Sequence, residues 1–198
     1  MAGSGSPFAG ITDMDTEQKT LAQMTAEVVE NNTAKGWYEN CATFPEAMAM
    51  LHSEVSEALE AWRIWGLEDG TAGSAITPGG NTGAKPEGVG SEFADIFIRL
   101  LDDAWLFGQI DLEALAHPGR FGVNDSFPAN MNMLHDLISK TSMEENGGEQ
   151  WRIPHRFADI LTFLRQLCEE YDVDLQAEYE RKAAYNRSRE YRHGGKRI

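Results

Sequence analysis

The chain has 198 residues, 41% of them apolar, enough to bury the core of one domain or two small ones. Its 17 Lys and Arg stand against 32 Asp and Glu, and the resulting charge of -15 excludes wrapping a nucleic-acid backbone, which needs clustered bases that release counterions. No apolar run reaches the roughly 18 to 20 residues of a membrane span, and the opening MAGSGSPFAG lacks the basic and apolar regions of a signal peptide, so a cytoplasmic protein without membrane contact is expected.

In chain order, residues 1 to about 15 are rich in Gly, Ser and Pro and read as a flexible N-terminus. The stretch TEQKTLAQMTAEVVENN offers Thr16 as a cap, with Leu21, Met24, Val28 and Val29 at helical spacing. A turn-like KGWYENCATF follows, then a strongly periodic helix from Pro45 to about Trp65 with Met48, Leu51, Val55, Ala58 and Trp62 on one face. Between Gly66 and Gly90 the density of Gly, Pro, Thr and Ser predicts a long irregular loop. A third helix is expected from about Ser91 to Gly108, burying Phe93, Ile96, Phe97, Leu100 and Ala104. After the break at HPGRFGVNDSFPAN, helices are expected near 129–144, 154–171 and 174–189. No segment alternates as a strand should, and Leu, Met, Ala and Glu dominate the periodic stretches, so the fold class is all-α. Cys41 and Cys168 have no ligand-like spacing and read as free thiols.

The chain also carries an internal repeat. AMAMLHSEVSE at 47–57 aligns with ANMNMLHDLISK at 129–140, SEFADIFIRLL at 91–101 with HRFADILTFLR at 155–165, and GQIDLEAL with YDVDLQAE. Three matches in the same order suggest a duplicated helical pair within one domain, 16–198: a first repeat at 44–117, a degenerate second at 129–180 and a basic tail at 181–198. The acids are not shared. Glu54 aligns with Leu137, Glu57 with Lys140 and Glu92 with Arg156; only Asp95 keeps its match, Asp159.

Residues three apart on a helix lie on one flank, so Glu54 and Glu57 share a side of the second helix, and Glu92 and Asp95 a side of the third. If these helices pack antiparallel, four carboxylates converge at the seam, and a cluster of that kind is hard to keep ionised without a cation. Oxygen donors without His or Cys favour Mg2+, with Mn2+ as the substitute. Acids at this spacing are also common on solvated faces, as Glu60, Asp102 and Asp103 are expected to be. The degenerate repeat separates the two readings, because its apolar residues persist where the acids do not. His52 and His135 recur beside the apolar stripe in both copies and are expected to be structural.

Glu-x-x-Glu in HSEVSEALEAW, Glu-x-x-Asp in SEFADIFIRLLD, KGWYE near the start and KAAYNRSREYRHGGKRI at the end resemble the all-α nucleoside triphosphate pyrophosphohydrolases of the MazG type, over roughly 18–108 and 174–198. The added helical pair resembles the dimeric dUTPase plan, in which a degenerate repeat accompanies a metal-binding one. This likeness implies a MazG-like helical bundle in which Glu54, Glu57, Glu92 and Asp95 bind magnesium. The implied reaction splits a (deoxy)nucleoside triphosphate into the monophosphate and pyrophosphate, as a house-cleaning or pool-control activity, with Glu54 or Glu57 accepting the proton of the attacking water. Ser53 stands where some relatives carry a further Glu.

The last 18 residues hold seven of the Lys and Arg against one acid, Glu190, which by composition alone reads as a solvated basic terminus; the match to the family tail makes Lys182, Asn186, Arg189, His193 and Lys196 the candidate phosphate-binding residues. Lys85 and Glu87 are candidates for the rim of the site, and Trp37, Tyr38 and Trp62 for base recognition. A homodimer is a further expectation. The alternative is a catalytically inactive helical nucleotide-binding or regulatory module. A di-iron bundle is disfavoured, since it needs a Glu-x-x-His motif on each of two helices and the chain has a single one, Glu190 to His193 in the basic tail.

Overall fold

The computed structural model describes residues 18–67, 75–78, 84–117 and 121–195, and these are helical almost throughout. Helix α1 is Leu21–Ala34. Thr20 caps it: the hydroxyl accepts from Gln23 N at 3.2 Å, and the Gln23 side chain accepts from Thr20 N at 2.8 Å. Thr16, the expected cap, lies outside the described residues. Thr20 is the better candidate because a reciprocal capping box needs Glu or Gln three residues on, and Thr16 has Lys19 there.

Helix α2, Phe44–Trp65, is capped in the same way by Thr43 and Glu46 and ends at Gly66, where φ is 69°. Phe44, Met48, Leu51, Val55 and Ala58 are all buried and recur at alternating steps of four and three, the spacing of a single helical stripe. The segment expected to be irregular contains a two-stranded antiparallel ribbon, β1 Ala75–Pro78 and β2 Ala84–Glu87, with Ala75 opposite Glu87 and Pro78 opposite Ala84. Strands of four residues are too short for period-two alternation to show against the glycines and prolines around them. Helix α3 is Val89–Leu106, two residues earlier than expected at its start. It is followed by the single turn α4 Leu112–Leu115, then α5 Phe127–Asn146, α6 Ile153–Glu170 and α7 Leu175–Ser188.

The ring of Phe44 meets Phe107 at 4.9 Å, so the start of α2 lies at the end of α3. Trp62 stacks on Phe127 at 5.5 Å, which sets the end of α2 at the start of α5. Helix α2 therefore runs antiparallel to both neighbours. Phe93, Phe97, Leu100, Leu134, Phe157, Phe163 and Leu164 are almost completely excluded from solvent between these helices, each contributing about 1.5–3 kcal/mol by burial.

Positions that the sequence alignment pairs adopt matching local conformations. Gln109 and Asp172 have φ of 52° and 53°, and Asp111 and Asp174 each cap a helix through a backbone amide three residues on, at 3.1 and 3.0 Å. His52 and His135 meet across α2 and α5 with their Nδ1 atoms 2.8 Å apart, one ring donating to the other. Both rings serve the helix contact, in line with the structural role expected of them. Cys41 is exposed and Cys168 buried, and both are free. Among the described residues no helix is long and apolar enough to cross a membrane.

Candidate metal centre

The antiparallel seam of α2 and α3 brings three of the four expected acids together. One carboxylate oxygen from each of Glu54, Glu57 and Glu92 lies within 4.8 Å of the others. Glu54 and Glu92 are buried and Glu57 is exposed, so the cluster has two shielded walls and one side open to solvent. Like charges about 4 Å apart repel by roughly 4 kcal/mol at an effective dielectric near 20. Burial above all, and then Asp95, Glu57 and Glu54, push the Glu92 carboxyl up to about 8, against the pull of Lys182. Its Oε2 is buried without a hydrogen-bond partner. A buried carboxylate oxygen without a partner, beside two other carboxylates, is a set of donors that could hold a cation.

Asp95, the fourth acid, stands outside the triad. Its Oδ2 takes an ion pair from Lys182 Nζ at 2.7 Å, and burial raises its carboxyl to about 6 although Lys182 pulls it down. Lys182 is itself buried. Its ammonium also donates to Ser91 Oγ at 2.9 Å and lies 4.0 Å from Glu92 Oε1, while Ser91 donates onward to the Pro86 carbonyl of β2 at 3.0 Å. On the other flank Arg99 Nε donates to Glu54 Oε1. Arg99 and Ser91 are site residues that sequence reasoning missed. A signal existed: Glu92, Asp95 and Arg99 are spaced i, i+3, i+7 on one helical stripe. In the second helical pair, Arg156 occupies the place aligned with Glu92 and holds Glu144 at 2.6 Å and Asp159 at 3.4 Å, a fixed ion pair where the first pair has its acid cluster.

The basic tail divides. Lys182 reaches the acids and Asn186, half-buried, follows one turn later on α7. The expectation that Arg189 and His193 join them is not met, because the chain beyond α7 folds onto the 3-10 turn Trp37–Asn40. Lys35 Nζ donates to the carbonyls of Arg187, at 2.8 Å, and Arg189; Arg192 pairs with Glu39 at 3.0 Å and Tyr191 donates to the same carboxylate; His193 packs edge-on against Trp37 at 5.0 Å. The physical reason is local charge: Glu39 is the acid within reach, and the α7 carbonyl end needs a cation, supplied by Lys35. Lys196 lies outside the described residues. Gly36 makes the docking possible, since its φ is 75° and any side chain there would overlap the Tyr191 ring. Gly36→Ala is expected to cost about 1–3 kcal/mol and to release the tail. Thermal melting and trypsin cleavage at Arg192 test this, and an unchanged melt with an uncut tail would contradict it.

The aromatic candidates for base recognition are all engaged. Tyr38 donates to Asp102 and packs on Trp105 at 5.3 Å, Trp37 meets His193, and Trp62 covers Phe127. Lys85 pairs with Glu87 at 2.9 Å on the ribbon. Asp102 and Asp103 are not the solvated residues that spacing implied. Asp102 accepts from Tyr38, and Asp103 is buried with an unpartnered Oδ2, because tertiary packing covers both sides of α3 on which these acids interrupt the apolar pattern. Glu60 is exposed as expected and pairs with Arg63. Comparison with protein-family models, curated proteins and solved structures finds no match.

Proposed function

We propose that the chain is a magnesium-dependent nucleoside triphosphate pyrophosphohydrolase of the MazG type, built from a duplicated helical pair of which one copy keeps the acids. The observation that carries this reading is the convergence of Glu54, Glu57 and Glu92 within 4.8 Å around a buried, unpartnered Glu92 oxygen, with a lysine from the basic tail beside them. The donor set fits magnesium, or manganese in its place: all oxygen, with no His or Cys in the group.

A bound divalent ion there supplies charge neutralisation for phosphate oxygens and a lowered pKa for water. The chain's own residues do the rest. Glu54 is held in its rotamer by Arg99, so it serves as a fixed ligand. Among the described residues Glu57 accepts only from Ser53 Oγ, at 3.5 Å, and it faces solvent, which makes it the carboxylate able to take the proton of an attacking water. Lys182, fixed on Asp95 and Ser91, adds positive charge beside the cluster, and Asn186, four residues on along the same side of α7, is the donor offered to the phosphates. Attack at the α-phosphate, releasing pyrophosphate, follows from the likeness to the MazG type.

The test is pyrophosphate release over a panel of ribo- and deoxynucleoside triphosphates with and without magnesium. Magnesium-dependent turnover of at least one nucleotide is expected, and Glu57→Gln should lower it on the order of 10^2-fold with the helical circular dichroism unchanged. Absence of metal-dependent turnover on every nucleotide would leave the chain as a binding module, and wild-type rates in Glu57→Gln would remove the proton-accepting role.

A further inference from the structure

We infer that this centre takes a single divalent ion and that the ammonium of Lys182 occupies the place a second would fill. The inference rests on the metal-binding reading above and concerns how many ions it involves. Two-metal phosphoryl-transfer sites hold their ions about 3.5–4 Å apart and share a carboxylate between them. Here the shared carboxylate is Glu92. On one side it belongs to the triad with Glu54 and Glu57; on the other its Oε1 lies 4.0 Å from Lys182 Nζ, which is bound to Asp95 at 2.7 Å and Ser91 at 2.9 Å. Asp95 and Glu92 with the Ser91 hydroxyl form the kind of oxygen set that would hold a second ion, and a buried cation is already in it.

Charge points the same way. Four carboxylates face two fixed cations, Lys182 on Asp95 and Arg99 on Glu54, so two negative charges remain. One divalent ion cancels them; a second would leave a partly buried seam positively charged, which is as costly as the bare acids. The remaining unmet demand is also single: among the four acids, Glu92 Oε2 is the buried carboxylate oxygen without a partner. The second helical pair shows the same device carried further, with Arg156 between Glu144 and Asp159. A fixed cation costs no metal and keeps the seam folded when the ion is absent.

Titration of the full chain with Mn2+ alone, counted by the paramagnetic resonance of the free ion, is expected to give one site per chain without the broadening of a coupled pair. Lys182→Met should bind two, the new ion taking Asp95, while Lys182→Arg stays at one. Two ions on the wild type, or one on a folded Lys182→Met, would overturn the inference and leave the metal reading standing. No bound Mn2+ at all would remove the metal reading itself. Should Lys182→Met not fold, Lys182→Gln carries the same arm, and the wild-type count decides without it.

Discussion

Glu92→Gln is expected to lower magnesium-dependent turnover on the order of 10^2 to 10^3-fold and, in the same molecule, to raise the melting temperature of the metal-free protein. The two effects share one cause. Glu92 is 3% exposed, has an oxygen without a partner, and is raised to about 8 chiefly by burial. At pH 7 the unfolded chain carries this group ionised, near its ordinary pKa of about 4.3, whereas the folded metal-free chain must hold it protonated or pay for a buried charge. Glutamine has the same length and no charge, so it removes that burden. The gain is bounded at about 4 kcal/mol, from 1.36 kcal/mol for each of the roughly 2.7 pH units between the ordinary value and pH 7. A rise of several degrees follows for a chain of this size, where about 2–4 °C accompanies each kcal/mol. Scanning calorimetry with and without magnesium checks both parts. Wild type should be stabilised by the ion and Glu92→Gln should not. A variant that melts below the metal-free wild type would show that the carboxylate is demanded by packing, and the metal assignment would lose its physical basis.

That opposition between stability and site chemistry explains which parts of the molecule were legible in the sequence. Stripes such as Phe44, Met48, Leu51, Val55 and Ala58 identify α2 because burial demands periodicity, and the ends of α3 and α5 to α7 fall within about three residues of expectation for the same reason. The acid pairs were legible as flanks of those stripes. Their partners were not. A lysine 87 positions beyond Asp95 is brought to it by the α3 and α7 contact, and no local pattern encodes that. The likeness to the family tail assigned Lys182, Asn186, Arg189, His193 and Lys196 to phosphate, yet the end of the tail docks on the KGWYE segment, where Arg192 meets Glu39, an acid that composition does not single out. The ribbon was hidden by prolines at 78 and 86, residues that normally argue against strands and are tolerated here because a two-stranded ribbon consists of edges.

Asp103 gives the other large effect, through pH. Its side chain on α3 is 6% exposed with Oδ2 unpartnered; burial, helped by Asp102 and opposed by Arg99, raises it to about 8. A carboxyl whose folded pKa lies above its unfolded value of about 3.9 favours folding fully at low pH, and that contribution is lost as pH rises through the window to about 8. Urea denaturation of wild type between pH 5 and pH 9 is therefore expected to show falling stability toward alkaline pH. Asp103→Asn, which keeps the shape and cannot ionise, should flatten that slope and gain about 1–4 kcal/mol at pH 8, relaxation and water entry setting the lower figure. Glu92 titrates in the same window, so the two must be separated. They lie eleven residues apart on one helix, about 16 Å along its axis, far enough for their effects to add. Each single variant should then remove part of the alkaline slope and the double variant most of it, while only the variants carrying Glu92→Gln lose the response to magnesium. A wild type equally stable at pH 5 and pH 9 would mean that water reaches both carboxylates, and the surroundings of Glu92 and Asp103 on α3 would have to be more open than their burial indicates.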